Sequence, residues 1–257
     1  MISCYLQGGL GNYLFQIAAS YSKSIDLNVD FVLLKNEALI VHKNPEHYLN
    51  NFFKKIKFSN NLNISQIYSE PNFSFNPIPD FMLPTKIFGY FQSEKYFKHN
   101  KKKIIELFEC PKDLKNQLYE KYPQINNETC SIHVRRGDYL KLQDHHPIQP
   151  IDYYKKAVSL IGNDKTYFIF SDDIEWCKLN FSFLNDVVFV EGNEDYEDLY
   201  LMSFCKNNIM ANSSFSWWGS WLNENNNKKV IAPKSWFGPS KSDLDISDLY
   251  FKNTIIL

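Results

Sequence analysis

Short apolar runs alternate with helix-like stretches through the second half of this chain, and that alternation narrows the fold more than any other feature. The runs are Cys130–Val134, Thr166–Phe170, Val187–Val190, Asn208–Ala211 and Lys229–Ala232. Continuous apolar runs of that length read as strands covered on both faces. Between them, helices are expected near Tyr153–Leu160, from Asp173, over about Tyr196–Cys205 and over about Ser214–Asn223. Strands that alternate with helices form a parallel sheet, so the class is α/β. Such sheets hold their ligands outside the carboxyl ends of the strands.

The first half opens in a similar way and then loses the pattern. Ile2–Gln7 is strand-like and runs into Gly8-Gly9-Leu10-Gly11-Asn12; a helix follows over about Tyr13–Ser24, then a strand over Val29–Leu34. This is a βαβ unit with a glycine-rich turn. From about Asn36 to Pro84, Asn, Ser and Phe dominate and Pro71, Pro77, Pro79 and Pro84 interrupt, which predicts a long irregular region. Tyr96–Tyr122 reads as largely helical.

Composition excludes several classes. A chain of 257 residues suits one large domain or two modest lobes and buries roughly three quarters of its unfolded surface. With 44% hydrophobic and 22% charged residues it is globular, and a net charge of −1 argues against nucleic acid as a partner. Lys101-Lys102-Lys103 reads as a solvated helix face, with a weak dock to an anionic membrane surface as the second reading. Met1–Leu6 lacks a basic leader, and no window reaches the ~20 apolar residues of a spanning helix. A cytoplasmic location is therefore expected, with peripheral contact at the inner membrane face left open. The five cysteines include no C-x-x-C pair and read as buried free thiols. Without a secretion signal, the sequons at Asn63, Asn127 and Asn212 carry no weight. The 16 Tyr and 21 Phe are read first as core filling, with sugar or nucleotide stacking second.

Four segments hold the candidate chemistry, each at a strand end. In Gly8–Asn12 the glycines allow a close approach, and a helix N-terminus favours an anion. Phe15 and Gln16 stand where a dinucleotide fingerprint wants glycine, so the loop is either an anion cradle or a tight structural turn. In His133-Val134-Arg135-Arg136-Gly137-Asp138-Tyr139 two adjacent arginines end a buried strand. Alternation sends them to opposite sides, so one faces a ligand and the other is expected to pair with Asp138. A guanidinium fork suits a diphosphate; a purely structural ion-pair cluster is the competing reading. Ser171-Asp172-Asp173 caps a helix or offers a carboxylate to a guanine edge. In Ala211-Asn212-Ser213-Ser214-Phe215-Ser216-Trp217-Trp218-Gly219, Ser213 or Ser214 would cap a helix whose free amides face a phosphate or solvent. Metal ligands are scarce: Asp243-Leu244-Asp245 matches a D-x-D pattern but reads as a solvated turn, and His145-His146 has no ligand set around it.

Gly8–Gln16, His133–Tyr139, Phe170–Lys178 and Asp198–Asn223 resemble the corresponding motifs of the α-1,2-fucosyltransferases, glycosyltransferase family 11. Ala211–Leu222 is the most specific stretch, Val230–Phe237 also fits, and Tyr13-Leu14 replaces the more usual Gln-Met. The resemblance implies a GT-B-like fold of two Rossmann-type lobes with parallel sheets. The expected division is a smaller, irregular, acceptor-side lobe over 1–124 and a GDP-sugar-binding lobe over 125–257, with the last helix or tail packing back on the first lobe. It further implies GDP-β-L-fucose as donor, an inverting displacement onto the 2-hydroxyl of a terminal galactose, and no metal or other cofactor. The expected donor-binding residues are Gly9, Gly11, Asn12, His133, Arg135, Arg136, Asp172, Asp173, Asn212, Ser213, Ser214 and Phe215. Arg135, Asp138 and Asn12 are the expected catalytic set: the resemblance implies Arg135 on the diphosphate and Asn12 near the reacting centre, and where a base is needed Asp138 is the first choice, ahead of Asp144 and His145.

Three competing readings stand beside this one: a transferase for another deoxyhexose or linkage, an inactive nucleotide-sugar-binding protein, and a metal-dependent D-x-D transferase. The Asn-, Lys- and Phe-rich composition points to an AT-rich bacterial genome and a cell-surface glycan as product.

Overall fold

The computed structural model describes residues 1–35, 38–41, 43–125 and 128–257. Asn36 and the sequon at Asn127 lie outside the described residues. The chain divides into two compact units, Met1–Pro111 with Asp245–Phe251, and Lys112–Leu244 with Lys252–Leu257.

The first unit contains β1 (Ile2–Cys4), β2 (Leu6–Gly8), α1 (Leu10–Asp26), β3 (Val32–Leu34), β4 (Ala38–Val41), β5 (Lys57–Ser59), β6 (Gln66–Ser69), β7 (Thr85–Phe88) and α2 (Lys101–Leu107). Its strands pair in the order β1-β7-β6, β2-β4 and β3-β5, and every pairing is parallel. α1 buries Tyr13, Leu14, Phe15, Gln16, Ile17, Ala18 and Ala19, so seven consecutive positions face protein all round. A helix covered on every side is the centre of its unit, not a surface helix. The stretch expected to be irregular holds β4, β5 and β6. Strands of three or four residues, polar and half-exposed in β5 and β6, are too short to show a period of two. The helix expected over Tyr96–Tyr122 is interrupted: α2 ends at Leu107, and the next helix starts only after Cys110-Pro111, because proline cannot donate within a helix interior.

The second unit contains α3 (Lys112–Lys121), β8 (Thr129–Val134), α4 (Ile151–Ile161), β9 (Thr166–Ser171), α5 (Ile174–Asn180), β10 (Val187–Phe189), α6 (Asp195–Phe204), β11 (Asn207–Ile209), α7 (Ser214–Trp221), β12 (Val230–Ala232) and β13 (Thr254–Ile256). A six-stranded sheet runs β10-β9-β8-β11-β12-β13, parallel throughout. All six residues of β8 are buried, as the apolar run predicts for a central strand. On one face Cys130, Ile132 and Val134 meet Tyr153, Tyr154 and Ala157 of α4 and Cys177 of α5. On the other face, Asn208 Nδ2 donates to Ser131 Oγ and to the Met202 carbonyl, both at 2.8 Å. Trp217, Trp218 and Trp221 of α7 are buried, each ring removing roughly 150–250 Å² from water. β13 has no counterpart among the expected elements.

The strand order doubles back between β8 and β11. β9 and β10 lie to one side of β8, and β11, β12 and β13 to the other. The connections leaving β8 and β11 therefore part in opposite directions and open a crevice at their carboxyl ends. His133–Tyr139 and Asn212–Phe215 are the segments at those two ends. Among the described residues no helix is long and apolar enough to cross a membrane. No disulfide joins the cysteines among the described residues, and Cys4, Cys130, Cys177 and Cys205 are buried; burial pushes the Cys177 thiol up to about 11 and that of Cys205 up to about 12.

Candidate functional site

At the carboxyl end of β8 the chain leaves the sheet through two arginines that diverge as alternation requires. Arg135 Nη1 lies 2.9 Å from Asp172 Oδ2, and Nη2 lies 2.6 Å from Asp138 Oδ1. Its guanidinium also sits 5.5 Å from the centre of the Tyr139 ring. Arg136 points to the other side, with Nε 2.9 Å from Asp173 Oδ2 and its guanidinium 4.0 Å over the Trp176 ring. Asp173 in turn caps α5 by accepting from the Trp176 amide. The arginine expected to pair with Asp138 was the one turned from the ligand; the structure gives that partner to Arg135 instead. The cause is the turn at Gly137, which brings residue 138 back under residue 135 while Arg136 is committed to α5.

Asp172 joins these features. Its Oδ1 accepts from the Arg136 amide at 2.8 Å while Oδ2 holds Arg135. A β-carbon at Gly137 would lie 2.6 Å from Asp172 Oδ2, so only glycine leaves the carboxylate its place. Asp172 and Asp173, expected either to cap a helix or to offer a carboxylate to a guanine edge, both face arginines here, and Asp173 is the helix cap. His133, the preceding inward residue, is 6% exposed and its ring centre is 5.5 Å from that of Phe215. Burial, reinforced by the Arg135 charge and opposed by Asp172, pushes this imidazole down to about 3. It is neutral at ordinary pH, and its Nδ1 is buried without a hydrogen-bond partner.

At the end of β11, Ser213 caps α7 by accepting from the Phe215 amide at 3.3 Å, and Ser214 opens the helix. Ser213, Ser214 and Phe215 are half-buried, beside the β8 segment. Asn212, expected to bind the donor, is 1% exposed and spends both amide hydrogens on the carbonyls of Pro147 and Trp236, each at 3.0 Å. Its side chain is a tether between loops, and the physical reason is burial: a carboxamide with no water must find its partners in the protein. The Asn212 carbonyl accepts from Tyr139 Oη at 3.1 Å, which locks the two strand-end loops together. Of the alternative bases, His145 Nδ1 meets Ser240 Oγ at 3.0 Å, and the Asp144 carbonyl accepts from the Ser240 amide at 3.0 Å.

Gly9, Gly11 and Asn12 lie in the first unit, at the start of α1. Gly8 has φ +86, and a β-carbon there would run into Asn12 Nδ2. Gln16 is fully buried and clasps the strand before the turn, its Oε1 accepting from the Gln7 amide at 3.0 Å and its Nε2 donating to the Gln7 carbonyl at 3.1 Å. That is why glutamine stands where a dinucleotide fingerprint would have glycine. Gln92 Nε2 donates to Asn12 Oδ1 at 2.9 Å. Gln92 follows β7 through Gly89-Tyr90-Phe91, whose turn is held by Glu70: its carboxylate accepts from the Tyr90 amide at 2.7 Å and the Phe91 amide at 3.0 Å. Burial pushes the Glu70 carboxyl up, against those two backbone donors. Neither Glu70 nor Gln92 lies in a recognisable motif; the sequence signal for this turn is the glycine directly after the short run Thr85–Phe88.

In the D-x-D segment, Asp243 and Asp245 are exposed, and Asp245 Oδ1 accepts from the Ser247 amide at 2.9 Å, the ordinary bond of a polar turn.

The chain matches a family described as glycosyl transferase family 11 over residues 1–250. It is 32% identical to the O-antigen biosynthesis glycosyltransferase WbnK of Escherichia coli, over 95% of this chain and 97% of that protein. It is 34% identical to an alpha-1,2-colitosyltransferase of Escherichia coli, over 90% of this chain and 91% of that protein. Among solved structures, the fucosyltransferase NodZ from Bradyrhizobium superposes with a TM-score of 0.56 at 15% identity, over 85% of this chain and 92% of that one. POFUT1 in complex with GDP-fucose superposes with a TM-score of 0.51 at 12% identity, over 89% of this chain and 96% of that one. These two likenesses bear on the fold, which is GT-B-like, as expected.

Proposed function

This chain belongs to glycosyltransferase family 11, and from that premise we propose that it moves L-fucose from GDP-β-L-fucose to the 2-hydroxyl of a terminal galactose, with inversion, in O-antigen synthesis. The observation that carries the donor side is the placement of Arg135 at the carboxyl end of β8, where the strand order reverses and the neighbouring strand β11 leads into the capped start of α7.

As GDP departs, negative charge gathers on the β-phosphate. Arg135 and the amide of Ser214, the first residue of α7, are the groups of the second unit suited to receive it, and donors aimed at developing charge stabilise a transition state directly. Those groups supply the positive charge that a divalent ion supplies in other transferases, so we propose turnover without metal. Asp172 holds Arg135 from behind. Asp138 is the more exposed of its two carboxylates, at 42% against 25% for the side chain. It is thus the partner that an incoming diphosphate displaces, which frees it to take the acceptor proton. An oxocarbenium-like sugar carbon asks for only a weak base. For Asn12, in the first unit, the proposed role is at the reacting centre, and it rests on the resemblance of the Gly8–Gln16 motif alone.

A second reading differs in the sugar. The relative named alpha-1,2-colitosyltransferase makes GDP-colitose, whose sugar lacks the 3-hydroxyl of fucose, the competing donor. A site built to hydrogen-bond that hydroxyl rejects the analogue without it by as much as ~10⁴-fold, so a donor comparison separates the two.

The test is incubation with GDP-fucose or GDP-colitose and lactose, with EDTA present, followed by product mass and linkage analysis. An α-1,2-fucosylated galactoside formed in EDTA supports the whole reading. Colitose transfer alone would replace the donor, activity lost in EDTA and restored by a divalent ion would remove metal independence, and failure to bind GDP would remove the donor site.

A further inference from the structure

We propose that Gln92 is a positioning residue that sets the direction of the Asn12 carboxamide. This rests on the reading above that Asn12 acts at the reacting centre.

The two residues are 80 positions apart in sequence and are joined by one bond, Gln92 Nε2 to Asn12 Oδ1 at 2.9 Å. That bond fixes the orientation of the carboxamide and leaves Nδ2 as the end that donates to a ligand oxygen; a neutral carboxamide is no base in either orientation. Gly8 makes room for that amide: it is the residue whose β-carbon would strike Nδ2.

The segment that delivers Gln92 is built under constraint. Phe91 has φ +51, a left-handed conformation unusual for a bulky residue, and it is 1% exposed. A buried carboxylate, Glu70, binds the amides of both Tyr90 and Phe91. Tyr96 Oη adds a contact to Glu70 Oε1 at 3.4 Å. On the far side of Gln92, the Ser93 amide donates to the Phe91 carbonyl at 2.8 Å, and Ser93 Oγ donates to the Asp248 carbonyl at 2.6 Å. A left-handed phenylalanine persists only where its surroundings over-determine it, and such sites collect where a side chain must be aimed. Both neighbours of Gln92 are thus fixed, and its side chain ends on Asn12.

The experiment compares Asn12→Ala, Gln92→Leu, Gln92→Glu and the double variant Asn12→Ala/Gln92→Leu. GDP release is followed with lactose and whichever of GDP-fucose and GDP-colitose the unaltered enzyme turns over, with thermal melting as the fold control. Gln92→Leu is expected to lower kcat by roughly 10- to 100-fold, the scale of an angstrom-sized misplacement, with the donor KM within about threefold. Gln92→Glu, isosteric but unable to donate, is expected to lose as much. The double variant is expected to be no slower than Asn12→Ala, because residues acting as a unit do not add. A purely structural glutamine would give losses that multiply in the double variant; that outcome, or Gln92→Leu within twofold of the unaltered kcat, overturns the proposal. If Asn12→Ala itself keeps full activity, the reading of Asn12 has failed; if Asn12→Ala is slow and Gln92→Leu is not, only the role of Gln92 has failed.

Discussion

Arg135 and Asp172 form a 2.9 Å ion pair that joins the carboxyl ends of β8 and β9. The guanidinium is therefore held in place before any substrate arrives, and a donor group that need not reorganise is worth most in the transition state. Arg135→Ala is expected to lower kcat/KM by about 100-fold or more. Arg135→Lys retains the charge but loses the fork, and is expected to recover only part of that loss. Steady-state kinetics decide the matter: an Ala variant within a few fold of the unaltered enzyme removes Arg135 from this role.

Gly137 tests the same pair from the other side. A β-carbon there lies 2.6 Å from Asp172 Oδ2 and 3.1 Å from its Cγ, so Gly137→Ala must displace the carboxylate that anchors Arg135. Activity is expected to fall by roughly 10-fold or more, while the melting temperature moves by only a few degrees, since the displaced group is half-exposed. A melting loss large enough to account for the missing activity would make Gly137 a folding residue instead.

Much of the second unit could be read from its sequence because its central strands are long and apolar. β8 and β9 each carry six residues with four or more buried, which no other element type explains at that length. β13 is three half-exposed residues at the chain's end, and no period can be seen in three positions. The site divides in the same way. That Arg135 and Arg136 diverge follows from strand alternation alone. Which arginine takes Asp138, and that Asn212 is a tether, depended on burial and on partners from distant segments. Asn-Ser-Ser before a helix looks the same whether its first residue faces a phosphate or a carbonyl.

Asn212 provides a stability prediction that separates it from its neighbours. Asn212→Ala leaves the carbonyls of Pro147 and Trp236 without their present donor in a buried place. The cost is about 2–3 kcal/mol, which lowers the melting temperature by roughly 4–12 °C for a chain of this size. GDP affinity at a temperature where the variant is folded is expected to stay within a few fold. Tight folding with lost GDP binding would return Asn212 to the donor site.

Asp198 supplies the pH dependence. Asn193 Nδ2 donates to its Oδ1 at 2.9 Å, and Asn193 is itself held by Lys121 and by Tyr122 Oη. Burial pushes the Asp198 carboxyl up to about 7, with Asn193 opposing and the nearby Glu197 and Asp195 charges adding. The folded chain thus binds a proton here that the unfolded chain gives up near pH 4. By linkage the contribution is fully present below that value and is lost as pH rises through about 7. Asp198→Asn keeps the shape and cannot ionise, so it escapes this penalty. Its melting temperature relative to the unaltered protein is expected to rise between pH 5 and pH 8, on the order of 5 °C, and then to level off. A difference that is flat across that interval would show that Asp198 ionises as freely in the folded protein as in the unfolded chain.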